Sequence, residues 1–314
     1  MEHRDNILCN RNTVPTIIGI SASNLPAYNM GRMRNSGWDG EISVGDRIGD
    51  WSYFVKANFT YAHNKILEQD EVIRNEDYLY RTGLRYGQFF GYVADGIFNS
   101  WEEVNAAGRP EYVMANNNNK IQPGDVRYVD INGDGKINDD DQVPIGYSNF
   151  PEIMYGISLG GSYKNLDISL LFQGATHVSN MPSRRIMRGF YEYTGANRDL
   201  LKSWSYERFA NNQKIVYPRY GVNGVGHNYL TSTYWLEDAS YLRLKNVEVG
   251  YTFRQESLKK AGIGSIRIYV NGSNLLTWTD MLPGQDPEVA NAGVTNSEPY
   301  PVTRVFNFGL NVNF

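Results

Sequence analysis

The stretch WSYFVKANFTYAH, residues 51–63, alternates apolar and polar side chains along its length. Successive side chains of a β-strand point to opposite faces of the sheet, so this stretch predicts a strand with one oily face and one wet face. Strands of soluble proteins are commonly about five or six residues long, so this strand is unusually long. Its oily face carries Trp51, Tyr53, Val55, Ala57, Phe59 and Tyr61.

Six further segments show the same alternation, at residues 38–47, 153–163, 166–173, 247–253, 266–278 and 302–314. The last segment is the clearest, and its alternation runs to the final residue. Threonine, asparagine and glycine occupy its wet face. The sequence therefore predicts about seven antiparallel strands. The oily face of the last strand carries Val302, Phe306, Phe308, Leu310, Val312 and Phe314.

The links between these segments alternate between short and long. Residues 48–50, 164–165 and 254–263 are compact, whereas residues 64–151, 179–238 and 279–300 are long and polar. Outer-membrane barrels have short turns on one rim and long loops on the other, and each strand crosses the bilayer in about 9–11 residues. The predicted fold class is therefore all-β, an antiparallel transmembrane β-barrel segment with long extracellular loops. Aromatic belts would be formed by Trp38, Trp51, Tyr61, Tyr163, Tyr241, Tyr251, Trp278 and Tyr300.

Composition excludes several other classes of protein. Aromatic residues make up 13% of the 314 residues, including 23 tyrosines, which favours strands over a helical bundle. The net charge is -4 and the basic residues are scattered, so the sequence shows no basic patch that would bind nucleic acid. The single cysteine, Cys9, has no disulfide partner, and the four histidines lack the spacing of zinc ligands. The N-terminal residues do not have the pattern of a signal peptide.

Two alternative functions are compatible with alternating strands. The main alternative is a soluble secreted β protein that binds carbohydrate, because half-buried antiparallel strands alternate as well. A secreted glycan enzyme is the other. No nucleophile with a base and no acid pair stands out, so we predict that the chain is not an enzyme. The run GVNGVG, residues 221–226, lacks the strand-to-helix setting of a dinucleotide site and predicts a loop.

Six separated motifs carry a family resemblance: NSGWDGEISV (35–44), GQFFGYVADGIFNSWEEV (87–104), GDVRYVDINGDGKINDDDQVPIG (124–146), YLRLKNVEVGYTF (241–253), RIYVNGSNLLTWT (267–279) and RVFNFGLNVNF (304–314). In this order they resemble the SusC/RagA-type TonB-dependent outer-membrane transporters. The resemblance covers nearly the whole chain. Agreement of several motifs is more specific than any one short pattern.

The resemblance implies a 22-stranded barrel with an N-terminal plug in the outer membrane, importing glycan or peptide fragments. It also implies a SusD-like surface lipoprotein over the outer loops and energy supplied through TonB. Residues 1–314 match only the C-terminal part of such a barrel, with outer loops at 64–151 and 179–238. Residues of the plug and of the TonB contact therefore cannot be carried over. About seven strands would leave bare edges in hydrocarbon, so we expect a truncated gene or a piece of a longer chain.

One loop has the spacing of a calcium site. Side-chain oxygens fall at the first, third, fifth and twelfth places, a backbone carbonyl at the seventh, and Gly135 at the sixth. Aspartate at the twelfth place and the lack of flanking helices depart from the usual motif. A polar loop that bonds its own backbone uses the same residues, so both interpretations stay open. The calcium (Ca2+) ligands would be Asp130, Asn132, Asp134, Lys136 and Asp141, with Ile137 anchoring the loop.

The last strand resembles the C-terminal signal that the barrel-insertion machinery reads. That signal would consist of Phe308, Leu310, Val312 and Phe314. An ordinary strand facing outer-membrane lipid would use the same residues, and the two interpretations are compatible.

The aromatic residues of the long loops could stack on sugars or dock a lid protein, although packing within the loops is the expected role of each. Residues 198–209 have a helix-like apolar spacing and predict a short loop helix. The aromatic residues are Trp204, Tyr206, Phe209, Tyr217, Tyr220, Tyr229, Tyr234 and Trp235.

Overall fold

The structure is a computed structural model that describes residues 1–20, 24–113, 121–221, 226–254, 258, 260, 262–289 and 300–314. Most of the run GVNGVG lies outside these residues. Eight described strands form one antiparallel sheet. Their order across the sheet is β1 (Glu2–Cys9), β2 (Tyr28–Ile48), β3 (Trp51–Glu68), β10 (Ile153–Tyr163), β11 (Leu166–Thr176), β14 (Tyr241–Phe253), β15 (Ser265–Thr279) and β16 (Val305–Asn313).

The remaining elements are short and belong to the loops. The small strands are β4 (Gln88–Gly91), β5 (Ala94–Ile97), β6 (Glu111–Tyr112), β7 (Val126–Tyr128), β8 (Lys136–Ile137), β9 (Val143–Ser148), β12 (Ser179–Asn180) and β13 (Glu237–Asp238). The α-helices whose bounds are described are α1 (Trp101–Val104), α2 (Arg184–Met187) and α3 (Tyr206–Ala210). The 3-10 helices are Thr16–Ile18, Asp77–Leu79, Asp139–Asp141, Tyr191–Tyr193, Arg198–Lys202 and Gly226–Tyr229. Among the described residues, no helix has the length and apolarity needed to cross a bilayer.

The sheet confirms the predicted fold class, with corrections at its outer rim, the end of the sheet that carries the long loops. The eighth strand, β1, was not predicted, and β2 starts at Tyr28 instead of residue 38. β3 also continues to Glu68. Polar residues dominate both faces of β1, and its pairing with β2 contains bulges, so no regular alternation marks it. Outer strand ends that stand above the hydrocarbon have no need of an apolar face.

The two faces of the sheet follow the predicted alternation. Ala57 of β3 lies opposite Ile157 of β10, and the next pair, Lys56 and Ser158, lies on the other face. Apolar side chains on the oily face are strongly exposed, for example Ile42 at 72% and Phe308 at 83%. A solvated sheet would bury this face against a core. The oily face therefore has the character of a surface that contacts lipid.

The hydrophobic core of the chain lies in the loops. Four buried clusters form there, and their members come from the segments that join β3 to β10, β11 to β14 and β15 to β16. We call these segments together the outer loop layer. The clusters are Met187, Tyr217, Tyr229 and Trp235; Tyr92, Val126, Tyr128 and Ile137; Phe98, Val104 and Ile121; and Val178, Ala239 and Met281.

The predicted single helix over residues 198–209 is wrong in its extent. The chain instead forms the 3-10 helix Arg198–Lys202 and then α3. Ser205 separates them because its side chain accepts a hydrogen bond from the backbone N–H of Arg208. This is an N-cap, which starts a new helix.

Candidate functional site

The wet face of the sheet is lined by uncharged hydrogen-bonding groups and by ion pairs between neighbouring strands. The hydroxyls of Ser52 and Ser162 lie 2.7 Å apart. Asn307 Nδ2 donates to Asn271 Oδ1 over 2.9 Å. These groups satisfy one another across strands and leave the surface hydrophilic, as expected of a water-filled lumen.

Arg267 is the centre of a charged group on this face. Its guanidinium contacts both oxygens of Asp167 on β11 and donates to Glu248 Oε1 on β14 over 2.8 Å. The arginine lies over Gly250, where any Cβ would come within 2.4 Å of its Nη2 atom. One cation thus links three adjacent strands near the short turns.

Arg243, on β14, joins the eight-stranded sheet, which we call the wall, to Asp286 and Glu288 in the segment after β15. It is 2% exposed, and its Nη2 and Nη1 atoms each donate over 2.7 Å, to Asp286 and Glu288 respectively. Lys245 also contacts Glu288, at 2.7 Å. Asp286 in turn accepts from the backbone N–H of Val302 over 3.1 Å. The segment is therefore held against the wet face by buried charge.

Glu152 forms a second junction, where β3, β10 and β11 meet the loops. Its Oε1 atom lies 2.6 Å from both His63 Nδ1 and Arg85 Nε, and its Oε2 atom lies 3.5 Å from His177 Nδ1. Burial alone would raise the pKa of Glu152, but the bonds from Arg85 and His63 hold this pKa below its usual value. The carboxylate thus stays charged and links two loops to the wall.

Asp125 is the buried anion inside the outer loop layer. It is fully buried and contacts Arg219 at 2.5 Å, His227 at 3.1 Å and Asn228 at 2.8 Å. Gln122 N–H donates to the same carboxylate over 2.8 Å. Burial would raise the pKa of Asp125, but its interactions with His227, Arg219 and Asn228 outweigh burial and lower it. The group ties two long loops together.

The loop aromatic residues divide into a buried and an exposed group. Trp204, Tyr217, Tyr229 and Trp235 are buried, and Tyr234 packs against two of the clusters, as expected for residues that pack within the loops. The other three remain exposed, at 55% for Tyr206, 45% for Phe209 and 38% for Tyr220. Tyr241 was predicted to belong to an aromatic belt at the membrane surface. It is buried instead, and its hydroxyl donates to Glu288 over 3.4 Å.

The loop with the spacing of a calcium site is held in shape by hydrogen bonds from its own side chains to its backbone. Asp130 accepts from the N–H groups of Gly133 and Gly135, each over 2.8 Å. Asp141 accepts from Ile131 and Asn138, also over 2.8 Å each.

Asn132 and Asp134 each accept from a backbone N–H two residues further on, the latter from Lys136. Gly135 has the positive φ, 80°, that the tight turn requires. Ile137 is fully buried with Tyr92 and Val126, as predicted for the anchor.

These bonds are the ones that the backbone-bonding interpretation predicts. Within the described ranges, no group of three or more His, Cys, Asp or Glu side chains is arranged to hold a metal ion. Calcium binding stays a prediction.

The four residues of the predicted insertion signal lie on the oily face of the last strand. Exposure is 83% for Phe308, 62% for Leu310, 36% for Val312 and 93% for Phe314. Their neighbours Asn307 and Asn313 lie on the wet face, where each bonds to a side chain of β15. The signal role itself stays a prediction.

Sequence reasoning missed all four ionic groups, which are centred on Arg267, Arg243, Glu152 and Asp125. Glu152 lies 89 residues from His63, and Asp125 lies 94 residues from Arg219. No spacing along the chain marks such partners, because the fold of the loops brings them together. The histidines lack ligand spacing, yet two of them converge on one carboxylate.

An open antiparallel sheet with an exposed apolar face, a polar face, tight turns at one rim and folded loops at the other defines a wall segment of a transmembrane β-barrel. No protein-family profile matches the chain. Curated relatives do. A TonB-dependent receptor of Formosa agariphila is 28% identical over 328 residues, covering 96% of this chain and 30% of that protein. TonB-dependent receptor SusC of Bacteroides thetaiotaomicron is 24% identical over 319 residues, covering 96% and 28%.

Solved structures share the fold. The RagAB peptide transporter matches with a TM-score of 0.69 and 22% identity, covering 99% of this chain and 32% of that chain. The resemblance to SusC/RagA-type TonB-dependent transporters is therefore confirmed. The matched proteins are named as receptors and transporters, and not as enzymes. This chain spans about a third of the length of these relatives.

Proposed function

We propose that the chain forms part of the wall and outer loops of a TonB-dependent transporter in the bacterial outer membrane, which imports glycan or peptide fragments. The observation that carries this proposal is the two-faced sheet. Its oily face is exposed along strands long enough to cross a bilayer, and its wet face is lined by hydrogen-bonding groups. A soluble carbohydrate-binding protein would not expose such a continuous apolar face.

The partners follow from the same proposal. The outer loop layer offers the exposed aromatic residues Tyr206, Phe209 and Tyr220, and a SusD-like surface lipoprotein would cover this side. TonB would supply the energy for uptake. The barrel-insertion machinery would read the last strand.

The test measures location and uptake together. The intact protein is expressed in its host, membranes are separated by density, and uptake of labelled oligosaccharides and labelled peptides is followed with and without TonB. We expect the protein in the outer membrane and uptake of one substrate class that stops when TonB is deleted. Recovery of the protein in a soluble fraction without detergent would contradict the proposal and favour the carbohydrate-binding alternative.

A further inference from the structure

A row of basic side chains crosses the oily face above the aromatic residues of the outer rim. Trp38 of β2 lies opposite Tyr61 of β3, and four residues farther along both strands Arg34 lies opposite Lys65. His3 of β1 extends the row, because it lies opposite Arg34. Three neighbouring strands thus place one cationic or protonatable side chain each at the same height.

The height of the row matches the lipid headgroups. Trp51 and Tyr61 lie on the oily face of β3, ten residues apart, which is about 34 Å along a strand. With a tilt of about 45° this spans about 24 Å, close to the apolar band of about 25 Å in outer-membrane barrels. Lys65 lies four residues beyond Tyr61, or about 10 Å higher by the same geometry. The headgroup layer is about 5–8 Å thick on each side of the hydrocarbon, so the Lys65 side chain needs to reach back only a few ångströms to meet it.

No carboxylate of the described residues pairs with the row. In the part of the chain that the structure describes, neither Arg34 nor Lys65 takes part in a salt bridge, whereas their neighbour Arg32 contacts Asp5 at 3.0 Å and Glu68 at 3.5 Å. Like charges directly opposite each other in a sheet repel and destabilise the pair. Gly83, the loop residue near Lys65 Cε, has no side chain to cover the ammonium group. An external anion would remove the repulsion.

We propose that His3, Arg34 and Lys65 bind the phosphate groups of a phosphorylated lipid in the outer leaflet. This inference rests on the proposed function, because only a wall embedded in the outer membrane meets that lipid. A phosphate offers several anionic oxygens, which the guanidinium fork of Arg34 and the ammonium of Lys65 contact at once. The acyl chains then lie on the oily face below, against Trp38 and Tyr61. Basic clusters at a membrane surface bind anionic lipids in this way.

The test uses the intact protein purified from outer membranes in mild detergent, with bound lipid identified by native mass spectrometry. Arg34→Ala/Lys65→Ala is compared with Arg47→Ala/Lys56→Ala, which removes the same charges from the same two strands on the wet face. We expect wild type and control to retain phosphorylated lipid. The Arg34→Ala/Lys65→Ala variant should retain at least about tenfold less, because it loses two charge-assisted contacts.

A second measurement does not depend on the folding of the variant. Delipidated wild-type protein is offered the same lipid before and after treatment with phosphatase. Preference for the phosphorylated form supports the inference. Equal binding of both forms, or equal lipid retention by Arg34→Ala/Lys65→Ala and wild type, overturns the inference while the protein still lies in the outer membrane. Absence of the wild-type protein from that membrane, read beforehand by fractionation, overturns the proposed function and the inference with it.

Discussion

Asp125 shows how single buried charges hold the outer loop layer together. Its carboxylate is fully buried and bonds to Arg219 and Asn228, residues 94 and 103 positions away. Removing one member of a buried ion pair leaves a buried charge less compensated, at a cost of about 3 kcal/mol or more. We expect Asp125→Asn to destabilise the layer by about that amount, measured by denaturant unfolding followed through tryptophan fluorescence.

The matched control for Asp125→Asn is Asp95→Asn. Asp95 pairs with Arg127 at 2.6 Å, but the two side chains are 49% and 38% exposed. Exposed pairs contribute at most about 1 kcal/mol, so the control should unfold almost like wild type. Equal losses in the two variants would show that burial does not set the strength of the Asp125 group.

The Asp125 carboxylate should also make the free energy of unfolding depend on pH. Interactions with His227 and Arg219 hold the pKa of Asp125 below the ordinary value of 3.8. A lowered pKa means that the folded state favours the charged form, so its contribution is complete above pH 3.8 and is lost as pH falls through the lowered pKa. The difference in unfolding free energy between wild type and Asp125→Asn should be constant near neutral pH and should shrink only below that value. A difference that already shrinks near neutral pH would contradict this assignment to Asp125.

Calcium should stabilise the loop that contains Asp130. We expect millimolar calcium to raise the melting temperature of the intact protein, because a cation would bridge Asp130, Asp134 and Asp141. Asp130→Ala should abolish the shift, and Asp140→Ala, a change in the same acidic run outside the ligand set, should keep it. If calorimetry shows no heat of binding and Asp130→Ala leaves the melting temperature in calcium unchanged, the loop is held by its own hydrogen bonds alone.

At the scale of elements, the pairing of β2 with β3 depends on one close approach. A Cβ on Gly37 would lie 1.9 Å from the backbone oxygen of Tyr61, whereas a Cβ on Gly40 would meet nothing within 4 Å. Backbone cannot move aside as a side chain can, so Gly37→Ala should force the strands apart and cost about 1–3 kcal/mol. Gly40→Ala should be tolerated. The measurement is thermal unfolding in detergent, and equal melting temperatures for the two variants would contradict the argument.

The last strand carries a prediction about assembly. If its aromatic end is read by the insertion machinery, Phe314→Ser should lower the amount of protein in the outer membrane several-fold. Phe306→Ser alters the same oily face outside the proposed signal and should lower it less. Asn313→Ser, on the wet face, serves as the neutral control. Immunoblots of separated membranes measure all three, and similar loss for Phe314→Ser and Phe306→Ser would reduce the strand to an ordinary lipid-facing one.

A strand can be predicted from the sequence when one of its faces contacts lipid and the other contacts water. Strands that separate lipid from water must alternate, and all seven predicted strands are present. β1 has no such requirement along its polar length, so its residues gave no signal. The helix predicted over residues 198–209 failed for a local reason, since the cap at Ser205 overrides apolar spacing. The junctions at Glu152 and Arg243 depend on loop folding, which periodicity does not describe.

Different interactions stabilise the sheet and the outer loop layer. In the part of the chain that the structure describes, the strands of the wall contribute no residue to the four buried clusters, which lie in the outer loop layer. The wall is held by strand pairing. Glu152 and Arg243 connect the two by buried charge at positions next to the wall. Since loops with their own core keep their shape independently of lipid, the outer loop layer can be rigid even where the proposed wall would face a fluid bilayer.

The division of the sheet into lipid and water faces gives a prediction for the whole molecule. After Cys9→Ser and the replacement of any cysteine outside this chain, Ile42→Cys and Ser43→Cys place one thiol on each face of β2. Both positions are exposed in the structure, Ile42 at 72%. In outer-membrane vesicles we expect a charged maleimide to label only the Ser43→Cys protein, because lipid excludes charge, and a lipid-soluble maleimide to label the Ile42→Cys protein. Rapid labelling of both by the charged reagent would mean that water meets both faces, which a soluble protein requires and a barrel wall forbids.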